Sequence, residues 1–290
     1  MSNSPVRSKG WIMPVVFGTP FTESEQTRDQ FGEAVYPRTS TSLAVSFETS
    51  PEQLQNILPE GKGLTLRGDP VVTVSANYNV GDLRMWAGRS YEIVMVSFPV
   101  TFEGRDRQTH GDYAPVIWEN LTDPIIAGRE AIGWSKVYAD IEPLRVTRTR
   151  AAGTAGWYGF KFLDIGIDNL SRLSQEEVAT RQKNMANSPS EGSIHWKYIR
   201  RTGTTDEADA DYLTMSTNVG APTPDVHGFE VWTGDGSIAF HQGSWRDLPM
   251  TIIQAVNTLA DLEVKHIFGA TLSKSDAVGS GGMGETIILE

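Results

Sequence analysis

The 290-residue chain contains no cysteine. That excludes disulfides, thiolate nucleophiles, and cysteine-ligated zinc or iron–sulfur centres. No apolar run approaches the roughly 20 residues of a membrane helix. The opening MSNSPVRSKGW has no apolar stretch of the kind a secretory signal needs. A cytoplasmic protein with no membrane partner is the expectation. Basic residues are scarce: 25 Lys and Arg stand against 36 Asp and Glu, a net charge of −11 with a pI near 5.0. A nucleic-acid partner would need a basic face, so none is expected. A small anionic substrate would need only one local cation.

The five histidines, His110, His195, His227, His241 and His266, form no H-x-H or H-E-x-x-H pattern. No metal and no cofactor is therefore expected. There is no G-x-S-x-G elbow and no P-loop. Gly279 to Gly284 match G-x-G-x-x-G in letters, but a dinucleotide site needs a helix next, and only six residues follow. The stretch reads as a turn before a terminal strand. Asp206, Glu207, Asp209 and Asp211 lack the glycine and final glutamate of a calcium loop and read as a solvated loop.

What is present is mostly strand. Leu43 to Phe47, Val71 to Tyr78, Ser90 to Phe102 and Tyr113 to Trp118 are β-rich. So are Lys136 to Val146, Trp157 to Leu163, Ser193 to Arg200, Val264 to Ala270 and Glu285 to Leu289. Three helices are predicted. One starts at Ser50-Pro51 with Gln53 three residues after the cap, and one opens with the capping box Ser174 to Glu177 and runs to about Ala186. The third is amphipathic, from Pro249 to Leu262. Strands not regularly separated by helices argue against a doubly wound sheet. The predicted fold is α+β, mainly β: a large antiparallel, closed or cone-like sheet with a few peripheral helices. Residues 1–290 form one domain in this reading, with 1–42 an extended N-terminal arm. The apolar patch Trp11 to Phe17 in that arm has no obvious partner in its own chain, which points to a homo-oligomer.

Chemistry concentrates in Trp118 to Arg145, where Lys136 stands among Ile125, Ile126, Ile132, Trp134, Val137 and Tyr138. A lysine beside hydrophobic residues commonly snorkels its ammonium to water. Enclosed, it would lose pKa to desolvation and become a nucleophile for carbonyl carbon.

The order Asp112-Tyr113, Pro115 to Trp118, Gly128-Arg129-Glu130, Trp134, Lys136 resembles the active-site segment of the acetoacetate decarboxylase superfamily. Met13 to Gly18, Glu230 to Gly234 (with a tryptophan-threonine-glycine turn) and Asp247-Leu248-Pro249 resemble further stretches of it. The resemblance implies a cone-like sheet, an oligomer, and a Schiff-base role for Lys136. It implies that Glu92 is the active-site glutamate that transfers protons, although a one-residue strand shift would move it, and a solvent-facing position is the competing reading. Tyr91, Arg129, Glu130 and Trp134 would contact substrate; Arg129 and Glu130 could instead be a buried pair that fixes the lysine's strand. Two positions depart from the family pattern. Val137 replaces a second lysine, and Phe47 or Glu48 replaces an arginine. Desolvation is then left to lower the lysine's pKa. The implied function is a lyase acting on a small keto acid, with decarboxylation of a β-keto acid first. An aldolase-dehydratase or cyclase acting on pyruvate, and a silent ligand-binding relative, are the alternatives.

Overall fold

The computed structural model describes Met13 and residues 37–80, 89–217, 225–250, 252–278 and 285–290. The expected arm therefore lies largely outside the described residues, and its last part, 37–42, is the first half of a strand. The strands are β1 (Pro37–Glu48), β2 (Leu64–Leu66), β3 (Val71–Val80), β4 (Ser90–Glu103), β5 (Gln108–Glu119), β6 (Lys136–Tyr138), β7 (Asp140–Ile141) and β8 (Arg145–Val146). They continue as β9 (Arg150–Trp157), β10 (Phe160–Arg172), β11 (Gly192–Arg200), β12 (Ala208–Thr217), β13 (Asp225–Phe240), β14 (His266–Val278) and β15 (Thr286–Leu289). Helices are α1 (Pro51–Gln55), α2 (Thr122–Ala127), α3 (Gln175–Ala186) and α4 (Ile252–Ala260), with one π-type turn at Gly128–Ile132.

Among the described residues all fifteen strands join one sheet, and the protein is mainly β as expected. The main path runs β15-β12-β11-β5-β4-β3-β1-β14-β13-β10-β9-β7. Among the described residues its two ends do not pair, so the sheet is open rather than closed. β1, β3 and most of β4 obey the period of two that half-buried strands require. In β3, Val72, Val74, Ala76 and Tyr78 face inward; in β4, Val94, Val96, Phe98 and Val100 do. Trp118 closes this main core against Phe162, ring centroids 5.0 Å apart. Each such side chain contributes on the order of 1.5–3 kcal/mol by leaving water.

β5 is unusual in its partners. It is antiparallel to β4 along most of its length. On its other edge it is parallel to β11 at Asp112–Tyr113, and then parallel to β6 at Ile117–Glu119. The edge changes hands halfway along the strand, and the candidate site forms at that change.

Several elements differ from expectation. Lys136 to Val146 is three short strands, because the chain leaves β5 after Ala139 and Pro143 offers no amide to a ladder. Trp157 to Leu163 is a hairpin, with Tyr158 and Gly159 at φ 47° and 89° supplying the turn between β9 and β10. Trp232-Thr233-Gly234 lies within β13 rather than in a turn; a Cβ on Gly234 would run into the Asp168 carbonyl on β10. Asp209 and Asp211 belong to β12, and their cluster is spent on surface ion pairs with Arg201 and Lys62. α4 is shorter than predicted. α1 begins at Ser50-Pro51 without a side-chain cap bond, and Gln53 instead donates to the Asp261 carbonyl at 2.7 Å. The Ser174–Glu177 capping box is present, yet no residue of α3 is buried. The G-x-G-x-x-G letters lie outside the described residues; the predicted strand after them is β15.

Candidate active site

Lys136 pairs with Ile117 across the parallel β5–β6 ladder, so its side chain shares a face with Ile117 and Glu119. That face is not the main core. It is roofed by α2 and the π-type turn, which leave the end of β5 and fold back across it. Gly133, in the left-handed region at φ 77°, then reverses the chain into Trp134. The Trp134 amide donates to the Gly128 carbonyl at 3.0 Å, and the Ile117 amide donates to the Ser135 carbonyl at 2.9 Å. Gly128 is pressed onto the lysine: a Cβ there would lie 2.5 Å from Lys136 Cδ and 2.9 Å from Nζ. Packing thus demands the glycine that opens Gly-Arg-Glu.

The amine is enclosed, with Lys136 only 4% exposed. Nζ lies 2.8 Å from Glu119 Oε1. It donates to the Pro124 carbonyl at 3.2 Å and to the Tyr91 hydroxyl at 3.4 Å. It also sits 4.9 Å from the centre of the Trp134 ring. Burial pushes the lysine's pKa down, against the opposing pull of Glu119. Burial pushes the Glu119 carboxyl up, against Lys136 and Tyr91. Both partners are thus shifted toward their neutral forms. Tyr91 is held protonated by burial and by the neighbouring Glu119.

A second layer fixes Trp134. Its indole N–H donates to Ser216 Oγ at 2.7 Å, and its ring stacks on His195 with centroids 5.3 Å apart. His195 is fully buried, with Nε2 3.0 Å from Ser193 Oγ. Burial lowers its pKa to about 3, and the charge of Lys136 acts in the same direction. It is a neutral imidazole at pH 7. Among the described residues no three His, Asp or Glu side chains gather as metal ligands would, and no helix is long and apolar enough to cross a membrane.

The sequence model of the acetoacetate decarboxylase family matches residues 18–285. The chain belongs to the acetoacetate decarboxylase family. Membership places it among acetoacetate decarboxylase-like enzymes, and solved structures agree on the fold. Acetoacetate decarboxylase from Legionella pneumophila is 19% identical, covering 88% of this chain and 87% of its own, with a TM-score of 0.63. A second acetoacetate decarboxylase structure is 16% identical over 100% and 98% of the two chains, TM-score 0.66. The enduracididine biosynthesis enzyme MppR, solved with pyruvate, is 15% identical over 97% and 98%, TM-score 0.61. A comparison with curated proteins gives no match.

Within this family frame, the structure brings Tyr91 and Trp134 to Lys136 and does not bring Glu92. Successive residues of a strand face opposite ways, and Tyr91 takes the lysine's side of β4. Glu92 takes the other, 2% exposed, where Asn120 Nδ2 donates to its carboxylate and Asn120 Oδ1 accepts from its amide at 3.1 Å. It is neither beside the amine nor in solvent. Ile93 stands on the lysine's face, directly opposite Glu119 in the ladder. The carboxylate at Lys136 therefore comes from β5.

Arg129 and Glu130 hold separate partners. Arg129 donates to the backbone carbonyl of Lys136 at 3.0 Å, which ties the roof to β6. The Glu130 carboxylate accepts from the Met13 amide at 3.1 Å, and its carbonyl accepts from Lys197 Nζ at 2.6 Å. Val137, where the family pattern has a second lysine, packs against the main core on the far side of β6. Phe47 is buried in that core as well. Neither Glu119 nor His195 is among the residues the sequence singles out for the site. Their signal was alternation: Glu119 is two residues beyond Ile117, and so on the same face.

Proposed function

We propose that this protein is a lyase that joins Lys136 to the carbonyl carbon of a small keto acid as an imine, and that loss of carbon dioxide from a β-keto acid is its reaction. The observation that supports this most is the enclosed amine, lowered in pKa by burial and placed 2.8 Å from a carboxylate, in a chain of this family. A neutral amine attacks a ketone, the arrangement known from acetoacetate decarboxylase itself. Water leaves, and the protonated imine becomes an electron sink. The carbon–carboxylate bond then breaks, its electron pair moves into an enamine, and carbon dioxide departs. A proton returns to carbon, and water releases the ketone and the lysine. No cofactor enters, since the imine supplies the sink. The roof of α2 and the π-type turn keeps bulk water from the imine, and Tyr91 and Trp134 hold the amine in place.

A second reading has support in the relative solved with the condensation product of pyruvate and imidazole 4-carboxaldehyde. The same lysine would turn pyruvate into an enamine by loss of a methyl proton. That enamine would attack an aldehyde, and the adduct would lose water. The test is intact mass after borohydride reduction, with acetoacetate and separately with pyruvate, on wild type and Lys136→Ala. A reduced imine in wild type only is expected, with an acetone-sized adduct from acetoacetate. A better adduct from pyruvate would favour the aldol branch. No adduct from either ligand, with the protein folded, would leave a silent binding protein.

A further inference from the structure

The buried carboxylate at the lysine carries no role in the family pattern as read from the sequence, where the candidate was Glu92. We infer that Glu119 is a catalytic acid and base for this site, because its Oε1 lies 2.8 Å from the Nζ that must both lose and regain protons. The inference rests on the reading of Lys136 as the imine-forming amine.

The step balances as follows. Glu119 takes a proton from the Lys136 ammonium, leaving an amine and a carboxylic acid. The amine nitrogen bonds to the carbonyl carbon, the C=O π bond opens, and a proton moves from nitrogen to oxygen to give a neutral carbinolamine. The Glu119 acid protonates that hydroxyl, which departs as water while the nitrogen lone pair forms the C=N bond. The products are one water, a protonated imine, and the Glu119 carboxylate beside the new positive charge. Only one proton shuttles, and the pair is neutral overall before and after.

Among the described residues the surroundings leave this task to Glu119. From β4 the neighbour is the Tyr91 hydroxyl, which burial holds protonated. From β6 it is Lys136 itself. The roof contributes the Pro124 carbonyl, which only accepts, and the Trp134 ring. From β11 comes His195, held neutral, its Nε2 engaged with Ser193 Oγ. Arg129 is turned to the Lys136 carbonyl. Glu92 is on the opposite face, held by Asn120. Among the described residues the Glu119 carboxyl and the Tyr91 hydroxyl are thus the side-chain groups within reach of Nζ; burial holds the hydroxyl protonated and pushes the carboxyl up from the ordinary carboxylate range.

Two rates on Glu119→Gln separate an acid from a carboxylate that merely tunes the lysine. The first is borohydride trapping of the Lys136 imine with acetoacetate and with pyruvate, followed across pH. The second is carbamylation of Lys136 by cyanate, which needs a neutral amine but no acid at the carbonyl oxygen. Removing the carboxylate removes an attraction for the ammonium, so the amine is neutral at lower pH and carbamylation should speed up. Imine formation should nevertheless slow by about a hundred- to ten-thousand-fold, the usual share of a positioned acid or base. Opposite movement of the two rates supports the inference. Rates that move together, or an unchanged imine rate and pH profile, overturn it. If Glu119→Gln does not fold, Glu119→Asp carries the test: it keeps the acid and should recover more imine rate than Glu119→Ala, and equal rates in those two overturn the role. Wild type that carbamylates at Lys136 but forms no imine with either keto acid sinks the reaction itself, a result distinct from a failure of Glu119.

Discussion

The two faces of the β4–β5 ladder carry two buried carboxylates with opposite fates. Glu92 and Glu119 are both almost wholly enclosed, and both stand where these strands end. Glu119 faces an amine under a roof; Glu92 faces an amide, Asn120, on the side of the main core. A buried carboxylate must be paired or hydrogen-bonded, and each is. The difference is one residue of register. Because a strand's side chains alternate, Glu92 cannot reach a lysine that Tyr91 and Ile93 face. Chemistry on this scaffold is assigned by parity along a strand as much as by residue type.

The largest break in that comparison is Lys136→Met. It should abolish the reducible adduct and leave Glu119 without its charged partner, costing about 3–5 kcal/mol if the carboxylate stays ionised. Urea unfolding followed as the pH is lowered measures it: the cost should shrink as Glu119, whose carboxyl burial pushes up, takes up a proton. Gly128→Ala comes next. Its methyl would overlap the lysine stem, so a cost of about 1–3 kcal/mol is expected, together with slower imine trapping. Unchanged trapping would show that the roof lifts freely. Glu92→Gln sharpens the contrast from the other side. It should cost about 1–3 kcal/mol through its bond to Asn120 while leaving the imine rate at the wild-type value. A fall in that rate with the fold intact would bring Glu92 back as a participant.

Acid stability probes the layer behind the site. His195 has its pKa lowered in the folded state to about 3, against roughly 6.5 for a free histidine. The folded state therefore refuses a proton that the unfolded state accepts. The contribution is intact above about 6.5 and is lost as pH falls toward about 3. Thermal midpoints between pH 7 and 4 should fall less steeply in His195→Gln than in wild type. The smallest effect belongs far from both faces: Ser174→Ala should cost about 1 kcal/mol of α3 capping and nothing in trapping.

Much of the strand pattern was legible because β1, β3 and β4 alternate cleanly. The capping box of α3 was legible because its four residues act locally. The resemblance singles out Lys136, Tyr91 and Trp134, and the fold brings those three together. Glu119 was not legible, for two physical reasons. The β-rich pattern ends at Trp118, one residue before β5 does, and a charged residue at a strand end ordinarily meets water. Its burial is imposed from outside the strand, by a roof whose path depends on Gly133 and on the close fit of Gly128. The open sheet was hidden for a similar reason, since pairing between distant strands leaves no mark within either one. The hairpin at Tyr158-Gly159 was hidden by its aromatic residue, which reads as strand but here takes a positive φ.

The anchoring of Trp134 sets a schedule for the site. Its indole is tied to Ser216, whose hydroxyl lies 3.0 Å from Thr286 on β15, and its ring rests on His195 of β11. During synthesis, Lys136 leaves the ribosome some 150 residues ahead of the strand that completes this support. The nascent lysine is an ordinary solvated amine, fully charged and poorly reactive toward metabolites. The support behind Trp134 is complete only when that distant strand has formed, so the site of the proposed chemistry assembles late in synthesis.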